Sequence, residues 1–357
     1  MKHRLIITVV TILLGASVAC AQKFLYDVDF VLNFDNREIN HSYEPSGTIF
    51  GFRLTPSIGV GLADSLGGTH RLMAGVSYIQ PCGADWRHVT VTPTAFYHYT
   101  YRGFQMHMGF VPYLELPEAL PDYLRSDSLA FAYPNIQGAL FQYHSRWGYV
   151  MALCDWRGMM SHDTREAFRI VGGGKFSYDW LTAGGFAQMN HLSHNADTIT
   201  GVCDDIVLNP LVGFTVGQYT PLDSLSLQVG YLGGLQRDRK YGPSQWTNGF
   251  VAEFYLGWKW IGFRNSLYVG QDQMPLYATY GQLLNQGDPR FRAELYNRTD
   301  LFFYIVRRSF VTCYAGWSLL LTDHGTISNQ QQIVCRFSLD GLLRNPSKKK
   351  IRTLSWR

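Results

Sequence analysis

The chain has 357 residues, including 22 Phe, 22 Tyr, 9 Trp and 35 Gly, while charged residues make up only 16 %, against about a quarter in ordinary soluble domains. That composition excludes intrinsic disorder and coiled coils. A mean hydropathy of -0.09, with no apolar stretch of about 18 residues beyond the N-terminus, excludes a helical membrane protein, and a net charge of +4 is too mild to point to nucleic acid.

The first segment reads as a secretory signal over residues 1–21. Lys2 and Arg4 precede an apolar core at residues 5–14, and Ala19-Cys20-Ala21 offers small residues for cleavage before Gln22. Ser17-Val18-Ala19-Cys20 leaves open a lipoprotein box in which Cys20 is lipidated. Removal of Lys2 and Arg4 takes the net charge from +4 to +2.

From residue 22 to 340 the texture is uniform and reads as one domain, with alternating stretches punctuated by breaks. In residues 50–62, Phe50, Phe52, Leu54, Ile58, Val60 and Leu62 alternate with Gly51, Arg53, Thr55, Ser57 and Gly59. Residues 250–260 and 330–339 repeat the pattern. A period of two with unlike faces is a strand signal. About sixteen such segments can be counted, with fourteen as the alternative.

Their connections alternate in length. Short ones fall at Gly67-Gly68, Arg102-Gly103, Arg146-Trp147, Asp179, Thr220-Pro221, Ile261 and Arg307-Arg308. Long ones fall at residues 35–47, 81–87, 116–134, 158–164, 192–204, 237–246, 272–289 and 323–327. This asymmetry, with aromatics such as Tyr97, Tyr99, Tyr101, Phe176, Tyr178, Trp180, Trp258 and Trp260 ahead of the short turns, predicts an all-β transmembrane antiparallel barrel with periplasmic turns and external loops. Residues 341–357, with Lys348, Lys349 and Lys350, read as a basic periplasmic tail.

On these features, together with Gln22 after the cleavage site and the loop motif Asp35-Asn36-Arg37-Glu38, the chain resembles Gram-negative outer-membrane β-barrel proteins, and is similar to uncharacterised, porin-like barrels of Bacteroidota. The resemblance implies an outer-membrane location and covers nearly the whole mature chain. One departure is that such barrels end on an aromatic residue, whereas here Phe337 and Leu339 are followed by the basic tail.

Strand parity places Arg53, Arg71, Arg169, Lys175, Lys259, Arg264, Arg292, Arg298 and Arg336 on the side away from lipid, with Asp27, Asp29, Glu253, Glu294 and Asp300 among them. The third long loop carries Glu118, Asp122 and Asp127. An acidic loop folded in against a basic wall would sort small polar or anionic solutes by charge, and the main expectation is therefore a passive channel, not an enzyme. The bland counterpart is that these charges neutralise one another in a polar interior. A second expectation is a non-conducting structural or envelope-assembly barrel whose loops bind surface glycan or a lipoprotein; the aromatic loop residues Trp86, Tyr123, Tyr133, Trp246, Tyr277 and Tyr280 suit sugar stacking in either a pore or a glycan binder.

The third expectation is a lipid-modifying hydrolase. His191 and Ser193 lie two residues apart, share parity with the lipid-facing Leu181, Ala183 and Ala187, and could work as base and nucleophile. The spacing is similar to the His-x-Ser pair of outer-membrane phospholipase and lipid A deacylase barrels, although those continue with Asn-Gly where this chain has His194-Asn195. No third residue to orient the imidazole stands out.

No cofactor is expected. His191, His194, Asp197, Asp204 and Asp205 match no defined metal-ligand spacing and leave open only an external calcium site, and Gly172-Gly173-Gly174 reads as a bend in a strand. Of the cysteines left after cleavage, Cys82 and Cys203 could bridge if their loops meet. Cys154 stands alone, and Cys313 and Cys335 read as small lipid-facing hydrophobes.

Overall fold

A computed structural model describes residues 23–196 and 201–339. The proposed signal peptide, the basic tail and Asp197 lie outside them. Sixteen strands form one closed antiparallel barrel in which each strand pairs with its sequence neighbours and the last closes on the first. They are β1 (Lys23–Glu38), β2 (Gly47–Ala63), β3 (Thr69–Pro81), β4 (Thr90–Tyr101), β5 (Phe104–Pro112), β6 (Asn135–Ser145), β7 (Gly148–Gly158) and β8 (Ala167–Tyr178). The second half comprises β9 (Leu181–Leu192), β10 (Cys203–Thr215), β11 (Ser224–Asp238), β12 (Gln245–Trp258), β13 (Ile261–Gly270), β14 (Leu295–Arg307), β15 (Val311–Thr322) and β16 (Thr326–Ser338). Closure runs from Asp29 opposite Ser338 to Glu38 opposite Asn329, so no backbone edge is left for lipid to cover.

The alternation becomes two faces. Ile58, Val60, Leu72, Val150, Leu208, Val212 and Ile333 are exposed on the outside, whereas Arg53, Ser77, Gln142, Asn209 and Gln330 are buried inside. Trp147, Phe176, Tyr178, Trp180, Trp258 and Trp260 are exposed near the short turns, where an interfacial girdle belongs. The turns themselves are tight. Arg102, Asp179 and Lys259 take positive φ at 46°, 54° and 51°, the left-handed geometry that lets a two-residue hairpin follow the strand twist.

Several placements differ from the sequence reading. Lys259 stands in the β12–β13 turn, exposed, and not in the wall. β14 begins at Leu295 because Asp288 caps a short 3-10 turn over Pro289–Arg292, which leaves Arg292 and Glu294 in the preceding loop. The β10–β11 connection spans residues 216–223 and holds its own 3-10 turn, Gly217–Tyr219. Cys313 and Cys335, directly opposed on β15 and β16, form a disulfide, while Cys82 and Cys203 are both unbridged.

Two long loops fold into the barrel. One, residues 113–134, carries α1 (Asp127–Ala132). The other, residues 271–294, carries α2 (Tyr277–Leu284). They are joined backbone to backbone, with Ser126 N donating to Gln286 O at 2.9 Å and Asp288 N to Asp122 O at 2.8 Å. Tyr113, Leu120, Tyr123, Leu124, Met274 and Phe291 from the loops share one hydrophobic core with Met73, Leu140, Val171, Val251 and Leu320 from the wall. Burying loop side chains against a wall that would otherwise face water contributes roughly 1.5–3 kcal/mol for each large apolar group. The filled lumen predicts that the folded protein gives no steady porin-like current steps in a planar bilayer. Deleting residues 116–132 should produce them in a barrel whose folding is confirmed by heat-modifiable mobility, and steady steps from the intact chain would contradict this packing.

Candidate functional site

Across the rim that bears the long loops, five outward-facing residues stand side by side on five successive strands. Trp156 on β7 is opposite Phe168 on β8, Phe168 is opposite His191 on β9, His191 is opposite Asp204 on β10, and Asp204 is opposite Arg237 on β11. Contacts link the row from end to end. The Trp156 and Phe168 rings stack at 5.2 Å, and Phe168 stacks on the His191 imidazole at 4.8 Å. His191 Nδ1 lies 3.0 Å from Asp204 Oδ1. Arg237 Nη2 and Arg239 Nε donate to the other Asp204 oxygen at 3.2 and 2.8 Å.

Local structure holds this row firmly. β7 bulges between Trp156 and Gly158, which re-aims the strand end at the rim, and Arg157 in the bulge donates to Leu283 O of α2 at 3.0 Å. On the inner side of the same rim, Ala167, Leu192, Cys203 and Leu284 are buried together, with Leu276 and Tyr280 against them. α2 therefore backs the strands whose outer faces carry the row.

The arrangement has the parts of a base with its orienting acid. A carboxylate on Nδ1 fixes the imidazole tautomer and ring plane and leaves Nε2 to exchange a proton. Asp204 is buried although it faces outward, because the two arginines and His191 cover it, and the two arginine side chains remain 42 % and 50 % exposed. They both satisfy the carboxylate and present positive charge at the rim.

Ser193 follows β9 directly. It is buried, its backbone N donates to Glu166 O at 2.8 Å, and its Oγ lies 3.2 Å from His194 Nδ1, so its hydroxyl is engaged with the neighbouring imidazole and not with His191. Asp205, one residue from Asp204, points the other way and is held inside by Asn190 at 2.7 Å and Gln236 at 2.9 Å. The alternation of the strand thus splits the acidic pair that the sequence places together.

The charges assigned to the lumen are largely brought together. Arg298 pairs with Asp300 at 2.7 Å and with Asp127 of α1 at 3.2 Å, and Arg264 pairs with Asp300 at 2.7 Å and Asp122 at 3.7 Å. Arg169 faces Asp155 at 3.6 Å and donates to Leu124 O at 3.1 Å. Arg53 faces Asp29 at 3.5 Å, Arg336 reaches the same carboxylate at 2.7 Å, and Lys175 meets Glu118 at 3.0 Å. Arg292 lies 3.8 Å from Asp272, and Glu294 is exposed, its carbonyl accepting from Gly270 N at 2.8 Å. The acidic third loop does enter the barrel and meet basic wall residues, Asp122 and Asp127 in buried pairs and Glu118 in an exposed one with Lys175.

Nearer the long-loop rim, Arg290 bridges Asp288 and Glu44, and Arg37 bridges Glu44 and Asp35. Burial pushes the Asp288 carboxyl upward, yet Arg290 and Arg298 outweigh it and hold the group below the usual carboxylate range. At Glu44 burial wins over Arg290 and the carboxyl is raised.

A model of the lipid A 3'-O-deacylase-type family matches residues 17–333. The chain belongs to that family. No curated protein matches it significantly. Among solved structures, OmpF of Salmonella typhi in complex with daunomycin shares 10 % identity and a TM-score of 0.52, covering 89 % of this chain and 98 % of that one. An engineered variant of the Rh. blastica porin shares 8 % identity and a TM-score of 0.50 over 89 % of this chain and 100 % of its own. At such identity the likeness concerns the sixteen-stranded fold alone. Fold and family together make this an outer-membrane barrel of the Gram-negative type. The expectation that the protein is not an enzyme is corrected by the family, which is named for a deacylase.

Within this deacylase-type barrel, sequence reasoning singles out His191 and Ser193 and does not bring Asp204, Phe168 and Arg237 into one row with His191. Phe168 and Asp204 come to flank His191, and Arg237 comes to Asp204, only through the pairing of β8, β9, β10 and β11, and a long loop between β9 and β10 hides that register. In the lumen, Arg298→Leu would remove the cation shared by Asp127 and Asp300 and leave Asp300 with Arg264 alone; breaking a buried pair by removing one partner costs about 3–5 kcal/mol. We expect a markedly lower midpoint for heat-induced loss of the folded gel band. Asp127→Asn should lower it less, because Asp300 still compensates Arg298.

Proposed function

We propose that the protein hydrolyses an acyl ester of lipid A in the outer leaflet, with the row from Trp156 to Arg237 as its active face. The observation that carries this reading is the His191–Asp204 pair on the lipid-facing side, beside the long-loop rim, in a chain of the lipid A 3'-O-deacylase-type family. A lipid with sugar-phosphate headgroup and acyl chains meets a barrel in that orientation: chains along the apolar wall, headgroup at the rim. Trp156 and Phe168 offer a flat apolar surface to a chain, and Arg237 and Arg239 offer exposed guanidinium groups to a phosphate.

In the proposed reaction, Ser193 Oγ rotates away from His194, gives its proton to His191 Nε2 and attacks the ester carbonyl carbon. Collapse of the tetrahedral intermediate breaks the bond to the sugar oxygen, which leaves with the proton held by His191. Water, activated by the same imidazole, then releases the fatty acid and regenerates the serine. Asp204 keeps the ring oriented and stabilises its protonated form. Outer-membrane lipid is thus the partner in this reading, in place of small polar solutes, surface glycan or a lipoprotein, and the lumenal arginines serve to hold the inward loops.

Purified protein in vesicles containing lipid A should remove one acyl chain, read as the corresponding mass loss. His191→Asn should slow it by on the order of 10²–10⁴-fold, the span of general base catalysis, and Asp204→Asn by a similar order through loss of the correct tautomer. Ser193→Ala should abolish the acyl-enzyme route, and full activity in that variant would move the attack to a water activated by His191. Unchanged activity in His191→Asn would overturn the proposal.

A further inference from the structure

On the inner side of the wall, remote in sequence from the row of β7 to β11, β4 and β5 set His98 directly opposite His107. Both side chains are buried, at 5 % and 0 % exposure. The two imidazoles lie face to face, centroids 3.9 Å apart and planes inclined by 12°. β5 is short, and directly after Pro112 the chain turns inward through a 3-10 turn, Tyr113–Glu115. That turn brings Glu115 back to the histidines, so that one ligand atom from each of His98, His107 and Glu115 lies within 4.8 Å of the other two.

Three different elements therefore deliver two imidazoles and a carboxylate to one point. Around a zinc ion with bonds of about 2.0–2.1 Å, ligand atoms stand roughly 3.3 Å apart, and modest side-chain rotation closes the present arrangement to that spacing. Partners outside the triad steady it. Thr100 Oγ1 lies 2.9 Å from His98 Nε2, and Gln142 Nε2 donates to the Glu115 carbonyl at 2.7 Å, the kind of support that orients metal ligands. Glu115 also lines a cavity of about 50 Å³ bounded by Asp29, Arg53 and Tyr113, room for water to complete a coordination shell.

We propose that His98, His107 and Glu115 bind one divalent transition-metal ion of the zinc class, which ties the inward loop of residues 113–134 to the wall at β4 and β5. Two nitrogen ligands suit such an ion and not calcium or magnesium, which take oxygen. The site is separate from the proposed hydrolytic face and stands or falls independently of it.

The test uses the full chain folded in detergent, stripped with a chelator, re-equilibrated with zinc, desalted and assayed for bound metal. We expect roughly one zinc per chain, with cobalt giving visible absorption of a low-symmetry nitrogen and oxygen site. Glu115→Gln, which leaves the wall intact, should weaken zinc binding at least about tenfold, and His107→Asn should abolish it in a barrel shown to be folded by its heat-modifiable mobility. Chelation should lower the unfolding midpoint of the parent protein and leave that of His107→Asn unchanged. Failure of the parent to retain zinc, or equal retention in Glu115→Gln and His107→Asn, would overturn the assignment.

Discussion

A sheet surrounded by lipid has no water to satisfy an open edge, and every other feature of this molecule follows from the closure that this enforces. Once β1 pairs with β16, each strand has one face in lipid and one turned inward, and the alternation sorts residues with little tolerance. Ile206 and Leu208 go out while Val207 and Asn209 go in. The same rule separates Asp204 from Asp205 and gives them different chemistry. One joins an outward imidazole and two arginines, and the other joins an internal amide network.

Closing sixteen strands encloses more space than wall side chains fill. Here two loops occupy it, and their charge is matched to the wall. Arg298 between Asp127 and Asp300, and Arg264 between Asp122 and Asp300, show why the arrangement is specific. A buried cation is tolerable only where its partners are close, so each pair fixes a loop at one height and azimuth. The filled interior shifts the interest of the molecule to its outer surface. There, strand pairing sets an aromatic stack, an imidazole, a carboxylate and a guanidinium next to one another beside the long-loop rim.

Much of the architecture was readable from the sequence because a period of two is a strong signal and alternating short and long connections add a second one. Sixteen strands and their two faces follow from it, while the inward third loop was expected from the likeness to porins. Boundaries failed where loop chemistry imitates a strand: Arg292 and Glu294 share a strand-like alternation, but Pro289 and the Asp288 cap turn the chain aside. Lys259 failed similarly, as a tight hairpin needs a residue at positive φ and parity cannot reveal which one it is. The His191 and Ser193 pair was visible as a spacing. The contact of His191 with Asp204 was not, since the two meet only through the register of β9 on β10, which a long loop leaves undefined. His98 and His107, nine positions apart in sequence, meet face to face across the tight Arg102-Gly103 turn; what the sequence does not show is that the chain after β5 folds back to bring Glu115 to them.

The most direct test of the account is mass spectrometry of lipid A after incubation of lipid A vesicles with the purified, folded barrel. The account predicts a species lighter by one acyl chain, with the matching free fatty acid released, and neither product from folded Asp204→Asn on the same timescale. Intact lipid A from a correctly folded parent protein, or equal deacylation by the Asp204 variant, would contradict the assignment of the outward His191–Asp204 pair as the catalytic centre.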